Sequence, residues 1–554
     1  MSAPIANTTL GLVAGTWLND GTAQYLGLQY ATADRWHEPV DRSDPYAASG
    51  DTFDATRFGM SCPQGPGQIY NSSATSEDCL YINVWTPPQR HARVTPPSVM
   101  LWIHGGAYSF GGGAPFNGSA LAAQHGVTVC TINYRLGYLG WLAFPEDRGR
   151  STTGNWGLLD QQSALRWVQR EVLHFGGNPS SVTIFGQSAG ASCVIRHLAS
   201  PASHRLFHQA IAESGAARGD FSLDFALTKT LDAARRLGCA GSFAKPTLRD
   251  CLSDRRVEDI LSAQAAASTP PPSHPLVDAI VSPVVDGFTL LDDTRSVLQR
   301  GTVADAPLLI GANTNESNLF VATAPAYANM SAAQYAGFVN YSLYLRNRTP
   351  PPGRLARILA AFPPSSDPKL NLQRYADFVT DAGFVCAARQ TAAALRRRRL
   401  SPSAVYFYHY DHPFPDLACT DVYFDPLQFG TTHTAEISYV FGRPTYVFGR
   451  PLHPERCAFN ASEAAFSRQV GGYWASFARD GKPSADWPLW EPPGTGGDAD
   501  ALVKLKRVER SGALDAVEEA PIHVSGLEIE HGWRAAKCAE VEAFDLEAKV
   551  EPRF

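Results

Sequence analysis

The sequence predicts an α/β protein built around a large, mostly parallel central sheet flanked by helices. Three apolar segments are predicted to be buried strands, and each ends in a loop of small or polar residues: 98–103, 181–185 and 307–312. The second is followed after a short turn by the helix-compatible stretch 191–195. Strand, turn and helix in this order are typical of α/β folds, whose ligand sites lie at the carboxyl ends of parallel strands.

The turn after segment 181–185 contains the pentapeptide Gly186-Gln187-Ser188-Ala189-Gly190. A G-x-S-x-G sequence between a strand and a helix is the pattern of a nucleophile elbow, a sharp turn that exposes the serine hydroxyl. Residues without bulk are needed on both sides of the serine, because the strand and the helix approach closely there. The pattern therefore predicts Ser188 as a nucleophile.

Segment 98–103 leads into His104-Gly105-Gly106-Ala107-Tyr108. Small residues after a strand let backbone N–H groups face a cavity, where they can bind a developing oxyanion. We expect the donors to be the amides of Gly106, Ala107 and Ala189. A phosphate loop would require Gly-Lys-Ser/Thr or G-x-G-x-x-G, which is not found here; an ordinary glycine-rich turn is the remaining alternative.

A serine nucleophile needs a histidine base and a carboxylate that orients it, in the chain order Ser, Asp or Glu, His. Glu316 follows the predicted strand 307–312 at its carboxyl end. Asp286 is the rival carboxylate, ranked second because Asp-Gly after an apolar run is a common turn. His433 lies in a small, polar loop that begins a helix and is the predicted base.

With these residues the chain resembles the type-B carboxylesterase and lipase family, which includes the cholinesterases. Further motifs of that family span nearly the whole chain: 76–85, 133–137, 154–161, 175–179, 439–442 and 474–483. The resemblance implies the α/β-hydrolase fold and a triad of Ser188, Glu316 and His433. It implies ester hydrolysis through an acyl-enzyme, with no cofactor and no metal. It also implies scaffold ion pairs, one between Arg135 and Asp160 and one between Glu77 and another arginine.

The resemblance further implies two disulfides, Cys62 with Cys79 and Cys239 with Cys251. Cross-links over loops of this size each stabilise a fold by about 2 to 4 kcal/mol. Cys130 and Cys193 are expected to be buried free thiols. The pairing of four cysteines stays open at this point: Cys386, Cys419, Cys457 and Cys538. A structural zinc site is not expected, because neither C-x-x-C nor H-E-x-x-H occurs.

N-x-Ser/Thr sequons indicate passage through the secretory pathway, the only route in which they are modified. The glycosylation candidates are Asn7, Asn71, Asn117, Asn329, Asn340, Asn347 and Asn460. Asn315 also matches, but we expect it to stay unmodified because a glycan there would collide with the site. The protein is thus predicted to be secreted, with a signal peptide removed and replaced by an initiator Met, since the first residues lack the pattern of one.

Composition sets the remaining expectations. The chain has 554 residues and a net charge of −6, and no linker-like segment divides it, so one domain is predicted over residues 1–554. The small net charge gives no case for a nucleic-acid partner. No stretch of eighteen or more apolar residues occurs, so no transmembrane segment is predicted. The expected partner is a small-molecule ester.

The loop between Cys62 and Cys79 distinguishes an esterase of soluble substrates from a lipase and from a cholinesterase. It holds one Ile and one Tyr among Pro, Gly and polar residues, so it is too broken for an amphipathic lid. This favours soluble short-to-medium-chain esters over a lipase or sterol esterase on the same scaffold. Cholinesterase activity is disfavoured, because Tyr70 is the loop's only aromatic residue and a tryptophan for cation–π contact is missing. A non-catalytic adhesion protein is disfavoured because all three triad residues are present.

One residue departs from the family pattern. The resembling enzymes commonly have three glycines where this chain has Gly105-Gly106-Ala107. The alanine still offers its N–H, but its methyl group is expected to narrow the space beside the oxyanion.

Overall fold

A computed structural model describes most of the chain. The described residues are 2–48, 50–65, 75–88, 95–217, 219–240, 246–268, 281–321, 329–346, 353–397, 403–413, 430–444, 458–493, 499–506, 528–539 and 541. Five residues of the sequence predictions lie outside them: Tyr70, the sequons at Asn71 and Asn347, and Cys419 and Cys457.

Eighteen strands occur in the described residues. They are β1 Ile5–Thr8, β2 Gly11–Ala14, β3 Thr16–Trp17, β4 Ala23–Gln29, β5 Ala31–Thr32, β6 Val40–Asp41, β7 Thr52–Asp54, β8 Tyr81–Thr86, β9 Ser98–Ile103, β10 Thr128–Ile132, β11 Asn178–Gln187, β12 Gln209–Glu213, β13 Phe221–Ser222, β14 Val284–Val285, β15 Leu308–Asn313, β16 Val405–Tyr410, β17 Ala501–Leu505 and β18 Glu528–His531.

Eleven of these strands form the central sheet, in the order β18-β17-β16-β15-β12-β11-β9-β10-β8-β4-β3. The seven strands from β17 to β10 pair in parallel, and the pairs at both edges are antiparallel. The three strands predicted from sequence correspond to β9, β11 and β15. The prediction of an α/β protein with a large, mostly parallel sheet is confirmed.

Fifteen α-helices are described. They are α1 Ser119–His125, α2 Gly137–Trp141, α3 Trp156–Glu171, α4 Ala189–Ala199, α5 Leu223–Arg236, α6 Leu248–Ser253, α7 Val257–Ser268, α8 Thr294–Arg300, α9 Asn318–Val321, α10 Ala332–Arg346, α11 Arg354–Ala361, α12 Pro368–Thr380, α13 Cys386–Arg396, α14 Ile437–Val440 and α15 Ala461–Asp480. One π-helical turn, Asp381–Val385, joins α12 to α13. None of the helices in the described ranges is both long and apolar enough to cross a membrane.

The core lies on both faces of the sheet, because side chains alternate in direction along each strand. On β9, Leu101 and Ile103 belong to one apolar cluster, whereas Met100 and Trp102 belong to the other. All six residues of β9 are buried, as expected for a strand covered on both faces. The loops at the ends of these strands are therefore supported by a rigid scaffold.

Covalent and ionic links fix the loops around the sheet. Disulfides join Cys62 to Cys79 and Cys239 to Cys251, the two pairs that the resemblance implies. A third disulfide joins Cys386 to Cys538, and Cys130 and Cys193 are buried free thiols. The buried guanidinium of Arg135 pairs with Asp160 at 2.8 Å, and Arg35 is the partner of Glu77.

Candidate active site

Ser188 occupies a sharp turn between the last residue of β11 and the first residue of α4. Its φ of 58° and ψ of −122° lie in a region that non-glycine residues rarely adopt. A Cβ at Gly186 would lie 2.5 Å from the carbonyl oxygen of Ile103, and a Cβ at Gly190 only 2.0 Å from the same atom. Both glycines are therefore required by the close approach of β9, β11 and α4.

The oxyanion loop, residues 104–108, lies directly beside this turn. A Cβ at Gly105 would be 3.1 Å from the Cβ of Ser188, so the loop and the serine are in contact. Gly106 has a φ of 105° and Ala107 a φ of 51°. No described protein atom accepts a hydrogen bond from either of their amides. The amide of Ala189 begins α4, where N–H groups have no intrahelical partner.

Glu316 and His433 form a buried hydrogen-bonded pair. The Nδ1 of His433 lies 2.6 Å from Oε2 of Glu316, and the two side chains are 2% and 0% exposed. The other carboxylate oxygen of Glu316 accepts a hydrogen bond from the amide of Asn313 at 2.7 Å. With Nδ1 engaged by the carboxylate, the Nε2 of His433 is the nitrogen left to act as a base.

Two loops hold this pair in place. We call residues 313–317 the acid loop and residues 430–436 the histidine loop. The amide of Asn315 donates to Thr431 O at 3.0 Å, and the side-chain amide of Asn313 donates to Thr432 O at 2.8 Å. The amide of His433 donates back to Glu316 O at 3.3 Å. These three hydrogen bonds therefore join the two loops.

The third member of the predicted triad, Ser188, adjoins Gln187, whose side chain contacts the histidine of the pair. Within the described residues, no hydrogen bond joins Ser188 Oγ to His433. The Nε2 of His433 lies 3.1 Å from the side-chain nitrogen of Gln187, the residue before the serine. Catalytic hydrogen bonds often shorten only when the substrate is bound. Gln187 occupies one of the two variable positions of the elbow motif, so the motif predicts no role for it.

Asp286, the rival carboxylate, has a different set of partners. Its Oδ1 accepts hydrogen bonds from the amides of Phe288, Thr289 and Leu290 at 2.9 to 3.0 Å. Its Oδ2 accepts from the Thr152 hydroxyl at 2.7 Å. This is the bonding of a carboxylate that stabilises a turn, and none of its described partners is His433.

Two further buried carboxyl groups, those of Glu436 and Glu213, lie near Glu316, and the sequence analysis does not predict them. Glu436 accepts hydrogen bonds from Asn313 Nδ2 at 2.6 Å and from the Ser214 hydroxyl at 3.2 Å. Burial, and next the charge of Glu316, raise the pKa of Glu436 from 4.5 to about 8. Burial and the proximity of Glu436 raise the pKa of Glu213 as well. Burial therefore favours the neutral form of both carboxyl groups.

Aromatic side chains cover one side of the imidazole. The ring centroids of Phe320 and Phe384 lie 5.2 and 5.0 Å from that of His433. Phe384 belongs to the π-helical turn before α13, and such turns frequently occur at functional sites. An apolar wall beside the base suits the carbon chain of an ester. No group of three potential metal ligands occurs in the described part of the chain.

Comparison with known proteins assigns the family. The model of the carboxylesterase family matches residues 2–511. A cholinesterase of Mus musculus is 31% identical over 88% of this chain and 81% of its own length. An acylcarnitine hydrolase of Mus musculus is 31% identical, and a cocaine esterase of Homo sapiens is 30% identical; each alignment covers 88% of this chain and 86% of the relative.

The fold and the site define a hydrolase of carboxylic esters. The chain belongs to the carboxylesterase family.

Proposed function

We propose that the protein is a secreted serine carboxylic-ester hydrolase that acts through an acyl-enzyme on soluble short-to-medium-chain esters. The observation that carries this proposal is the 2.6 Å bond between Glu316 and His433, which lies beside the strained turn of Ser188. A buried carboxylate on one imidazole nitrogen and an elbow serine near the other are the parts that acyl transfer requires.

The proposed reaction has two halves. Ser188 Oγ attacks the ester carbonyl while His433 Nε2 takes its proton, and the amides of Gly106, Ala107 and Ala189 hold the oxyanion. The tetrahedral intermediate collapses, the C–O bond to the alcohol breaks, and His433 returns the proton to the leaving alkoxide. Water, deprotonated by the same imidazole, then hydrolyses the acyl-enzyme and regenerates Ser188. Glu316 stabilises the imidazolium in both halves.

The substrate class is proposed from the loops around the site. The relatives are named for three dissimilar substrates, so their names support ester hydrolysis without fixing the alcohol or the acid. Phe320 and Phe384 favour an apolar acyl or alkyl group. The polar sequence between Cys62 and Cys79 disfavours an interfacial lid.

Secretion is supported by two kinds of observation. Three disulfides are typical of an oxidising compartment. Four sequon asparagines, Asn7, Asn329, Asn340 and Asn460, are exposed, and Asn117 is half-buried. Expression in a secreting eukaryotic host, followed by peptide mapping, tests occupancy of these sequons.

The activity is tested with an ester panel that varies acyl and alcohol size separately. We expect rates that rise smoothly with the concentration of dissolved ester and a loss of about 10³-fold or more in Ser188→Ala. A sharp increase in rate when the substrate passes its solubility limit, together with preference for long-chain triglyceride emulsions, would assign the protein to the lipases instead. Normal turnover by Ser188→Ala would contradict the assignment of Ser188 as the nucleophile.

A further inference from the structure

A charged side chain lies buried on the helix that begins at the nucleophile turn. Arg196 is two turns beyond Ser188 on α4, and its side chain is 2% exposed. Its Nε donates to Oδ1 of Asp220 at 2.6 Å, and the side chain of Asp220 is completely buried. Burying an ion pair carries a desolvation cost that often exceeds its contribution to stability. We therefore look for the role of Arg196 in the other hydrogen bonds that its guanidinium makes.

Those hydrogen bonds lead to the oxyanion loop. The Nη1 of Arg196 donates to the Tyr108 hydroxyl at 3.1 Å and to Ser192 O at 2.9 Å. Its Cζ lies 5.9 Å from the centroid of the Tyr108 ring, within the range of a cation–π contact. Tyr108 is the residue directly after the two proposed donors of the loop, Gly106 and Ala107.

Tyr108 is under backbone strain and is held from several sides. Ala107 and Tyr108 have φ values of 51° and 60°, so two successive residues with side chains adopt the left-handed region. The carbonyl oxygen of Tyr108 accepts from Gly137 N at 2.7 Å and from Trp141 Nε1 at 3.1 Å. Such a backbone persists only where its surroundings over-determine it. The bond from Arg196 is one of these constraints.

Asp220 is fixed as well. Its Oδ2 accepts from the amide of Thr294, the first residue of α8, at 2.7 Å. Asp220 therefore connects the guanidinium of Arg196 to the start of α8, and the other side of the guanidinium contacts Tyr108 of the oxyanion loop. Its own helix, α4, begins with Ala189, the third proposed donor.

We infer that Arg196 is a positioning residue, which acts through Tyr108 to hold the amides of Gly106 and Ala107 in register with Ser188 and Ala189. The inference deepens the proposed function and rests on it. The donors come from two separate segments, the loop after β9 and the start of α4. Arg196 bridges these two segments, so the three amides are already in place when negative charge develops on the substrate oxygen. Misplacement of such donors by about 1 Å can cost 10²-fold in rate.

The chain contains a matched control for this role. Arg389 and Asp500 form another buried pair, with Nη2 2.6 Å from Oδ2 and with 3% and 7% exposure. Arg389 lies on α13 and donates to Trp533 O at 3.1 Å; none of its described hydrogen bonds reaches the oxyanion loop. Its loss removes the same kind of ion pair without affecting the loop.

The test compares Tyr108→Phe, Arg196→Met and Arg389→Met in the full chain. The readouts are kcat, KM, melting temperature and inhibition by a trifluoromethyl ketone, which Ser188 Oγ adds to so that its carbonyl oxygen becomes an oxyanion. We expect kcat and ketone affinity to fall together, about 10-fold in Tyr108→Phe and about 100-fold in Arg196→Met, with little change in KM. The double variant Tyr108→Phe/Arg196→Met is expected to have the same kcat and ketone affinity as Arg196→Met alone, because the two residues act as one unit.

Arg389→Met is expected to lose thermal stability but to keep kcat within about twofold of the parent. If Arg196→Met does not fold, Tyr108→Phe alone tests the inference, because this substitution removes one hydroxyl group and leaves the ion pair of Arg196 and Asp220 in place. Unchanged kcat and ketone affinity in Tyr108→Phe and in any folded Arg196→Met would overturn the inference. That failure is separable from failure of the proposed function, in which the parent chain would not hydrolyse esters or Ser188→Ala would remain active.

Discussion

At the scale of single residues, backbone strain is concentrated where chemistry is proposed. Nine described residues other than glycine have a positive φ, and five of them belong to the site or its support: Ala107, Tyr108, Ser188, Ser214 and Thr434. Each such conformation costs about 1 to 3 kcal/mol. Packing elsewhere in the protein must offset this cost. These positive φ values therefore reflect the geometry that the site requires and do not stabilise the fold.

Residues with a local signal could be predicted from sequence, and residues defined by distant partners could not. Ser188 lies in a recognisable pentapeptide, and Glu316 follows a recognisable strand. Glu436 and Arg196 become notable only through Asn313 and Tyr108, which are 123 and 88 positions away. Nothing in the sequence around Glu436 or Arg196 points to these partners, whereas the chain order of the fold class connects the three triad residues.

The first prediction separates Glu316 from Asp286, the two candidate carboxylates of the triad. Glu316→Gln is expected to lower kcat by about 10³- to 10⁴-fold, because an amide cannot balance the imidazolium and favours the wrong tautomer. Asp286→Asn is expected to keep most activity and to lower the melting temperature, since its carboxylate accepts hydrogen bonds from the 288–290 turn. Steady-state kinetics on one soluble ester tests both, and a larger kinetic loss in Asp286→Asn would reverse the assignment.

The second prediction concerns pH and Glu436. Its pKa is raised from 4.5 in the unfolded chain to about 8 in the fold, first by burial and next by Glu316. The folded state thus holds a proton that the unfolded state releases, so the stability due to neutral Glu436 is full below pH 4.5. It is lost progressively as pH rises to about 8. Glu436→Gln, neutral at every pH, should make the free energy of unfolding fall less between pH 5 and 8.

Urea unfolding at several pH values measures this difference. Glu258→Gln serves as the control, because the Glu258 side chain is 68% exposed, whereas Glu213, Glu316 and Glu436 are buried. Parallel pH profiles for Glu436→Gln and the parent chain would show that Glu436 is already ionised in the fold.

At the scale of elements, the elbow shows why a short sequence can fix a geometry. The strand predicted over 181–185 extends in the structure over Asn178–Gln187, and the helix begins at Ala189. The central strands were predictable because they are continuous apolar runs. The π-helical turn that places Phe384 beside His433 was not, because its sequence is compatible with an ordinary helix.

The third prediction tests the close packing of the elbow. Gly190→Ala is expected to lower stability by about 1 to 3 kcal/mol and to reduce kcat, since its Cβ would lie 2.0 Å from the Ile103 carbonyl oxygen. Gly337→Ala is the matched control, because Gly337 lies on α10 and no described atom beyond its own helix backbone and chain neighbours would lie within 4 Å of a new Cβ. Helix propensity should stabilise it by about 1 kcal/mol. Equal effects in the two variants, measured by thermal unfolding, would contradict the packing argument.

At the scale of the whole molecule, the parallel sheet and the carboxylesterase family could be inferred from the sequence, whereas the cross-link near the C-terminal end could not. Cys386 and Cys538 are 152 positions apart, and spacing gave no reason to prefer this pairing. Four cysteines with no pairing from the resemblance allow three connectivities. The extent of one domain over 1–554 stays a prediction.

The fourth prediction compares two disulfides of different reach. Because loop-closure entropy rises with the logarithm of loop length, the bridge of separation 152 should contribute about 2 kcal/mol more than the bridge of separation 12. Replacing Cys386 and Cys538 by Ala should therefore destabilise the chain more than replacing Cys239 and Cys251. Guanidinium unfolding of the two double variants decides the order, and the reverse order would contradict the prediction.

The most direct test of the proposed acyl-enzyme mechanism is to trap the acyl group on the protein. The enzyme is mixed with an ester whose acyl group is released slowly, quenched in acid, digested with trypsin and analysed by mass spectrometry. The proposed mechanism predicts the added acyl mass on the tryptic fragment 171–196, localised to Ser188 and absent in Ser188→Ala. An acyl group on another residue, or turnover without any acylated fragment, would contradict it.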